Sequence, residues 1–286
     1  PRVRIDEGHF NHWSTKPANE GQAVLGRTYA GLAAVLRNDG YVVTADTTRF
    51  TPETLRPYDI LIVAGAEPVP DSAWNRRTWE GETFTRQELD ALESWVRGGG
   101  SLLLAVNHAP SAWFSRHLAS RFGVDMVNSY TADPMLSEYP DSTIVRGRGG
   151  ATLRGQWLTY TRQNGMLTDH PITAGREGRE RINRVRAGGG SSVLGPAGSK
   201  AFLALQPTAI EWVYYLLPAA PDAVEVPRSA AGRAQGIAFR FGAGRVVVVS
   251  TPHLFFESYM AQPGHDNRQL ALNVAHWLSG LLPEPR

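Results

Sequence analysis

The stretch DILIVA at residues 59–64 is an almost continuous apolar run, and a second run, SLLLAV, follows at residues 101–106. Such runs are typical of strands covered on both faces in a parallel sheet, because a strand with one wet face alternates polar and apolar residues. Each run has the length of a strand and falls far short of the roughly 20 residues that span a bilayer. The two runs therefore predict the buried centre of a parallel sheet.

Helix and strand signals alternate outward from this centre. Thr51 before Pro52 is an N-cap signal, and Thr85 with Glu88 forms a capping box that opens a helix ending at glycines 98–100. The other signals of this half are a strand at 3–5, a helix at 21–38 stopped by Gly40, a strand at 41–45 and a helix from the 107–110 turn to residue 122. Repeated βα units with buried strands predict an α/β fold with a doubly wound, mostly parallel, flavodoxin-like sheet.

The second half of the chain is less regular. Residues 131–200 are rich in Gly and Arg and hold short β-like pieces, which predicts an irregular β-rich insertion on the sheet edge. Four antiparallel strands are predicted at 202–205, 211–217, 236–241 and 245–250, with a hairpin turn at 241–244. A last helix at 267–278 has an apolar face formed by Leu270, Val274, Trp277 and Leu278. We expect a single domain over residues 1–286.

Composition excludes several classes of function. Hydrophobic residues make up 42% and charged residues 20% of the 286 residues, which is ordinary for a globular protein. Lys and Arg exceed Asp and Glu by only two, 29 against 27, so the charge predicts no nucleic-acid surface. No apolar stretch is long enough for a transmembrane segment. The absence of cysteine excludes disulfides and thiolate chemistry.

The compartment and the oligomeric state stay open. The chain begins two residues before its first predicted strand, without a signal-peptide pattern. The protein is therefore expected to be cytoplasmic, or periplasmic or secreted if a leader was removed. A chain without cysteine fits either compartment.

The first candidate site follows the strand at 3–5, because ligands of open parallel sheets bind outside the carboxyl ends of the strands. It contains Asp6, Glu7, His9, Asn11 and His12. Carboxylates, imidazoles and an amide in one loop suit acid-base work or metal binding. The alternative is that Asp6 and Glu7 accept hydrogen bonds from neighbouring N–H groups while His9 packs. The density of polar groups favours a site.

Asn107 and His108 form the second candidate, at the turn after the 101–106 strand. Hydrolytic α/β folds place a nucleophile at this kind of turn. The G-x-S-x-G pattern is missing, which disfavours a serine nucleophile. A histidine that caps or packs at the turn is equally compatible with the sequence.

The third candidate, His253, follows the strand at 245–250. His253 and Glu257 are four residues apart and would share a helix face if this segment is helical. Residues 265–268 are better explained as the start of the last helix, with Asp266 as its N-cap.

Trp79 lies in the long loop at 66–84, together with Trp74. A loop of this length favours a functional lid over a simple connector. An aromatic ring beside polar groups suits stacking on the face of a sugar, although tryptophan more often packs in a core.

The run ESWVRGGGSLLL at 93–104 resembles the helix, glycine turn and strand that precede the nucleophile in class I glutamine amidotransferase-like domains. A histidine after a Gly-Gly-Gly strand also resembles trehalose-utilisation-like proteins. More closely, four motifs resemble a bacterial branch related to the amidotransferase-like domains of gliding-motility and intraflagellar-transport proteins: DEGHFN, GGGSLLLAVNHAP, TDHPITAGR and NRQLALNVAHWLSG. The motifs span almost the whole chain.

This resemblance implies a fold and excludes one reaction. The position of the family's catalytic cysteine falls close to His108, and the chain has no cysteine, so glutaminase activity by that route is excluded. Relatives of this kind resemble carbohydrate binders or enzymes that act on sugars, and many are secreted.

The first functional hypothesis is a hydrolase or lyase that acts on a carbohydrate or a related small polar molecule. Glu7 or His9 would be the general base and His108 the acid or electrophilic partner. The substrate would be bound by Asp6, Asn11, Asn107, Trp79 and His253. A divalent metal held by His9, His108 and Glu7 is a variant of this hypothesis.

The second hypothesis is a non-catalytic carbohydrate- or partner-binding pseudo-enzyme that keeps the amidotransferase fold. The loop that carries Trp79 would then make the main contacts. In both hypotheses the expected partner is a small molecule or a glycan, not a nucleic acid.

Overall fold

The computed structural model describes residues 1–11, 13–16, 28–70, 81–138, 143–146, 152–154, 157–217 and 220–284. For residues 143–146, 152–154, 214–217 and 220–226 it describes the backbone. Trp74, Trp79 and His12 lie outside the described residues, as do positions 21–27 of the first predicted helix.

The strands are numbered in chain order. The first eight are β1 (Arg2–Asp6), β2 (Val42–Asp46), β3 (Ile60–Ala64), β4 (Ser101–Ala105), β5 (Asp125–Met126), β6 (Ser129–Ala132), β7 (Thr143–Arg146) and β8 (Thr152–Arg154). The next are β9 (Leu158–Thr161), β10 (Arg184–Ala187), β11 (Val193–Leu194), β12 (Lys200–Ala204), β13 (Ile210–Leu217), β14 (Ala220–Ser229), β15 (Ala234–Phe241) and β16 (Gly244–Val249).

The α-helices are numbered in the same way. They are α1 (Ala30–Asn38), α2 (Pro52–Leu55), α3 (Arg86–Arg97), α4 (Ser111–Arg121), α5 (Pro171–Ala174), α6 (Glu257–Met260) and α7 (Asn267–Leu278). Short 3₁₀ segments occur at Gly178–Glu180 and Pro252–Phe255. Within the described residues, no helix has the length and apolar character that a bilayer span requires.

The central sheet, as far as the chain is described, contains nine strands in the order β2-β1-β3-β4-β16-β15-β11-β5, with β12 paired to β15. The strands β2, β1, β3, β4 and β16 are parallel, in the order of a flavodoxin-like sheet. Antiparallel pairing adds β15, β11, β5 and β12. The predicted fold class, α/β with a doubly wound and mostly parallel flavodoxin-like sheet, is confirmed.

Apolar side chains cover both faces of the sheet, which explains the unbroken runs in the sequence. All five residues of β3 and of β4 are buried. Along β4, Leu103 and Ala105 belong to the core on the α1 and α7 face, while Leu102 and Leu104 belong to the core on the α3 and α4 face. Successive strand residues point to opposite faces, so a doubly covered strand needs apolar residues at every position.

The predicted caps are confirmed. Thr51 accepts a hydrogen bond from the Thr54 N–H, with Pro52 at the first helical position of α2. Thr85 and Glu88 form the capping box of α3. The apolar face of α7 is buried as expected.

The first predicted helix begins later than its periodicity suggested. Helix α1 starts at Ala30, and Thr28 and Tyr29 precede it as bends. Tyr29 is fully buried, and its hydroxyl donates a hydrogen bond to the Pro252 carbonyl oxygen. Tyr29 therefore packs as a core residue just outside the helix.

The four antiparallel strands predicted for the second half are present as β12, β13, β15 and β16, but they do not lie in one sheet. The strand β13 does not join β12, β15 and β16; it pairs instead with β6 and with β14 in a separate three-stranded antiparallel sheet. The strand β14 was missed because Pro221 and Pro227 count against a strand. Proline is tolerated there because β14 is an edge strand of its sheet.

Asp266 precedes α7 but caps it only through its backbone carbonyl, which accepts the Leu270 N–H. Its carboxylate instead accepts hydrogen bonds from the Asn183 and Arg184 N–H groups. The Asp266 side chain therefore ties α7 to β10, a long-range partner that local capping rules do not reveal.

Candidate functional site

The order of the parallel strands defines a crevice at the carboxyl end of the sheet. In the sheet, β2 lies on one side of β1, and β3 lies on the other side of β1. The topological switch point therefore lies between β1 and β3. The loops after these strands meet there, since the Glu67 N–H donates a 2.8 Å hydrogen bond to the His9 carbonyl oxygen. Ligands of flavodoxin-like sheets bind at this position.

His9 lies in this crevice but is fully buried beneath its surface. Its Nδ1 is 2.9 Å from Asp6 Oδ2, and its Nε2 is 2.8 Å from Glu88 Oε1. The ring lies between Phe50 and Phe84, with both centroids 4.6 Å away. Both ring nitrogens face carboxylate oxygens, which accept hydrogen bonds, so the geometry fits the doubly protonated imidazolium.

The electrostatics agree with this protonation state. Burial by itself lowers the pKa of His9, but the hydrogen bonds and charges of Asp6 and Glu88 outweigh it and raise the pKa above its ordinary value. Burial would raise the pKa of Glu88, yet the hydrogen bonds from His9 and Thr85 lower it to about 2. His9 and Glu88 therefore each stabilise the charged form of the other in this buried contact.

The other polar residues of this loop hold its conformation. Glu7 Oε1 accepts hydrogen bonds from the N–H and the hydroxyl of Thr15, at 2.8 and 2.5 Å. Asn11 Oδ1 accepts the His9 N–H, and Asp6 Oδ1 accepts the Gly8 N–H. These contacts match the alternative in which the carboxylates accept loop N–H groups and His9 packs.

Above His9, a cleft of about 400 Å³ opens at the switch point. Its lining is polar and aromatic and consists of Phe10, Arg49, Phe50, Thr51, Glu67, Pro68, Glu82, Thr83, Thr85, Gln87 and Glu88. The side chain of Phe10 stands out because it is 47% exposed and its φ is +47°. No other non-glycine residue in the described part of the chain has a positive φ.

Asn107 and His108 lie after β4, at a neighbouring strand end. Asn107 is buried, and its N–H donates to Ser111 Oγ at the start of α4. The His108 ring stacks on Tyr130 with centroids 4.0 Å apart, and its Nδ1 lies 2.7 Å from the Ala109 carbonyl oxygen. Both residues are thus engaged in the turn between β4 and α4.

His253 follows β16 in the Pro252–Phe255 3₁₀ segment. Its ring contacts Trp13, Phe256 and Tyr259, with centroids 5.0 to 6.1 Å away. Phe256 has extended backbone angles and separates this segment from α6, so His253 and Glu257 do not share a helix. The condition for a shared face, one helix that contains both residues, is therefore not met.

Comparison with known proteins identifies the family. Residues 28–275 match the family described as a domain of unknown function, DUF4350. The chain belongs to the DUF4350 family. No curated protein matches this DUF4350 chain by sequence.

Solved structures share the fold of this DUF4350 chain at low sequence identity. The mmIFT52 N-terminal domain is 13% identical, with a TM-score of 0.62 and coverage of 98% of this chain and 97% of that one. The cytoplasmic protein STM1381 from Salmonella typhimurium LT2 is 14% identical, with a TM-score of 0.54 and coverage of 97% and 98%. At these identities the likeness shows the fold alone. The class I amidotransferase-like assignment stays a prediction.

The DUF4350 fold brings some predicted site residues together and not others. Asp6 at the end of β1 lies beside Glu7, His9 and Asn11 of the loop that follows, whereas His108 and His253 lie at separate strand ends and make other contacts. Across the described residues, no group of three or more His, Asp or Glu side chains could hold a metal ion, so His9, His108 and Glu7 form no such group. Trp79 lies outside the described residues.

The sequence did not reveal several residues of the cleft. Glu67 follows β3 closely, so the rule that polar residues after strands line the site could have found it. Glu88 was recognised as a capping residue, but its pairing with His9 spans 79 positions and has no local signal. In the sequence, Phe10 is only a member of the DEGHFN motif. Its positive φ, which the sequence does not show, indicates its role in the cleft.

Proposed function

We propose that this DUF4350 domain binds a small carbohydrate, or a related polar ligand with an apolar face, in the cleft at the β1–β3 switch point. We also propose that it binds this ligand without catalysis. The observation that supports the binding role is the conformation and exposure of Phe10. The amidotransferase-like resemblance, whose relatives resemble carbohydrate binders, agrees with this proposal.

Phe10 holds a backbone conformation that its own packing does not explain. A left-handed φ costs an L-residue about 1–2 kcal/mol, and a bulky side chain at such a φ is a genuine outlier. The ring remains half exposed, so burial of the ring does not offset this cost. Strained residues of this kind cluster at ligand sites. An aromatic face on the wall of a polar cleft suits the apolar face of a sugar ring.

The rest of the cleft supplies the polar half of such a site. Arg49 and Gln87 offer N–H donors, while Glu82 offers carboxylate oxygens. A sugar presents hydroxyl groups that both donate and accept, and this mixed lining can satisfy both. A volume of about 400 Å³ lies within the range of small-molecule sites.

Binding is preferred to catalysis because the predicted general base is occupied. A general base must have a lone pair within reach of the substrate. Both nitrogens of His9 face carboxylates, and Glu7 is bonded to Thr15. The hydrolase or lyase function predicted from the sequence remains a proposal, and the experiment that tests binding also tests it.

The test compares binding of monosaccharides and oligosaccharides on a glycan array for the wild type and Phe10 variants. We expect Phe10→Ala and Phe10→Gly to lose affinity about tenfold or more, and Phe10→Tyr to retain it. The size of the loss is taken from the stacking of nucleobases on aromatic side chains, which contributes about 1–3 kcal/mol. Phe10→Gly should also unfold at the same or a higher denaturant concentration, since glycine accepts a positive φ without strain. Leu194→Ala, which removes an equally exposed apolar side chain elsewhere, is the control.

Two results would contradict the proposal. Unchanged glycan binding by Phe10→Ala would show that Phe10 does not contribute to the binding site. Release of cleaved product from a bound glycan, abolished in His9→Ala and His108→Ala, would establish the enzyme instead.

A further inference from the structure

A second cluster of polar side chains lies at the opposite end of the central sheet, where the parallel strands begin. Arg240 on β15 pairs directly with Arg245 on β16. Lys200 on β12 pairs with Ala238, two residues before Arg240 on the same strand. Paired residues and their i, i+2 neighbours share a face of a sheet. Lys200, Arg240 and Arg245 therefore occupy the face that α7 covers.

This register places like charges directly opposite each other, an arrangement that destabilises a sheet unless an anion lies between them. Glu284, beyond the C-terminal end of α7, supplies that anion. Its Oε1 lies 2.8 Å from an Arg245 terminal nitrogen and 3.7 Å from Arg240. One carboxylate oxygen thus serves two guanidinium groups, and the Lys200 charge adds to theirs.

Two clefts meet at Arg240. One, of about 370 Å³, is lined by Lys200, Arg240, Trp277 and Glu284 among others. The other, of about 390 Å³, is lined by Arg240, Arg245 and Ser279 among others. Both are larger than the share of space taken by a single ion or water molecule.

Trp277 provides a separate indication of a ligand. Its side chain is fully buried, and the indole Nε1–H has no hydrogen-bond partner. The Arg245 guanidinium lies 5.6 Å from the centre of its ring. A buried donor without a partner is costly, so an acceptor that reached Nε1 from the cleft that Trp277 lines would be favourable.

The turn after α7 is shaped around Arg245. Gly280 has a φ of +76°, and a Cβ at this position would lie 2.5 Å from an Arg245 terminal nitrogen. Position 280 therefore requires glycine for its conformation and also for the space that the guanidinium takes. Gly280 therefore leaves room for the Arg245 guanidinium beside the cleft that Arg245 lines.

We infer that this surface, formed by Lys200, Arg240, Arg245 and Trp277, binds a phosphate group, and that Glu284 occupies its place in the free protein. In the cleft lined by Lys200 and Arg240, Glu284 is the one carboxylate among the described residues, and it also pairs with Arg245, whereas a phosphate dianion carries more charge and more acceptor oxygens. Guanidinium groups bind phosphate oxygens through paired, charge-assisted hydrogen bonds. Glu284 is 45% exposed, and exposed ion pairs are weak, so a phosphate can displace it.

Calorimetric titration of the whole chain at low ionic strength tests this inference. The probes are inorganic phosphate and glucose 6-phosphate, with glucose as the uncharged control. We expect Glu284→Gln to bind phosphate several-fold more tightly, because the internal competitor is gone, and Arg240→Gln to bind about tenfold more weakly, because a charge-assisted pair is lost. The matched controls Glu177→Gln and Arg179→Gln change the same charges in an exposed pair elsewhere and should leave affinity unchanged.

The gain in Glu284→Gln keeps the test decisive even if an arginine variant folds poorly. Equal weakening by Arg240→Gln and Arg179→Gln would indicate a general charge effect and overturn the site. Unchanged affinity in Glu284→Gln, or no heat of binding with either phosphate, would also overturn it. Tighter binding of glucose 6-phosphate than of inorganic phosphate would assign a phosphate ester, and equal binding would assign the free ion.

Discussion

At the scale of single residues, His9 shows how the surroundings decide the role of an ionisable group. The same imidazole could act as a base in an open loop, but here two carboxylates hold it from both sides between Phe50 and Phe84. Arg49 lies 3.9 Å from Glu88 Oε1 and adds a second positive charge at the rim. The result is a buried charge network that stabilises the loop under the cleft.

The network predicts a stability maximum in mildly acidic solution. The pKa of His9 is raised on folding, so its stabilisation is complete below its unfolded pKa near 6.5 and is lost as the pH rises through the folded value. The pKa of Glu88 falls from 4.5 to about 2, so its stabilisation is present above 4.5 and is lost as the pH falls toward 2. That loss is on the order of 1–3 kcal/mol.

Urea unfolding of the wild type and His9→Gln between pH 3 and pH 9 measures this effect. We expect His9→Gln to be less stable near pH 6 and to lose the fall in stability above pH 6.5. Its loss of stability at acid pH should be smaller than in the wild type, because Glu88 loses its charged partner but keeps the hydrogen bonds from Thr85. His117→Gln, at a half-exposed histidine 3.6 Å from Glu82, is the control and should keep the wild-type profile. A wild-type profile in His9→Gln would show that His9 is not charged in the folded protein.

At the scale of elements, the capping box of α3 links helix formation to the site. The Thr85 N–H and hydroxyl donate to Glu88 Oε2 at 3.0 and 2.9 Å, while Glu88 Oε1 faces His9. One carboxylate therefore closes the helix start and neutralises the buried imidazolium. The cap was predicted correctly because its two partners are three residues apart. The contact of Glu88 with His9 was not predicted, because these residues are 79 positions apart.

Thr85→Ala should therefore destabilise the protein more than the loss of a cap alone. We expect a loss of about 1–2 kcal/mol in the free energy of unfolding, against about 0.5–1 kcal/mol for Thr51→Ala at the matched capping box of α2. Thr85→Ser keeps the hydroxyl and should restore most of the stability. Urea midpoints of the three variants check this. Equal losses of stability in Thr85→Ala and Thr51→Ala would show that the Thr85 cap does not contribute to the contact between Glu88 and His9.

Element boundaries failed where a tertiary partner outweighed the local pattern. Tyr29 fits the helical periodicity of 21–38, yet it packs in the core ahead of α1. The strand β14 contains two prolines and still pairs along β13, because an edge strand has one side without ladder bonds. Neither outcome follows from residues within one turn or one strand.

At the scale of the whole molecule, Glu211 joins the small three-stranded sheet to the central sheet. It is fully buried on β13 and accepts hydrogen bonds from the hydroxyl groups of Ser129 and Ser192, at 2.9 and 2.6 Å. Ser192 precedes β11 of the central sheet. Arg228 on β14 completes the junction with its Nε 2.7 Å from Glu211 Oε1.

Removal of the Arg228 charge should weaken this junction. We expect Arg228→Gln to cost roughly 2–3 kcal/mol, below the range for a fully buried pair because solvent reaches the arginine and two hydroxyl donors remain. Arg179→Gln, in a pair that is exposed on both sides, should cost less than about 1 kcal/mol. Denaturant unfolding of both variants measures the difference. Equal costs would show that Arg228 does not stabilise the junction.

The sequence by itself determined the parallel core, the N-cap of α2, the capping box of α3, the buried face of α7 and the exclusion of thiol chemistry. These features depend on periodicity, on residues within a turn of each other, or on composition. It also located the polar loop after β1, because strand ends are recognisable from the runs that precede them.

Only the tertiary structure decided what those polar residues do. His9 meets Glu88 because α3 packs beside the end of β1, and Arg240 meets Arg245 and Glu284 because β15, β16 and the turn after α7 converge. The charge of a buried group depends on such partners, which lie far apart in the chain. The sequence thus predicted where the cleft lies. The packing decided that the histidine beneath it, His9, is buried between the carboxylates of Asp6 and Glu88.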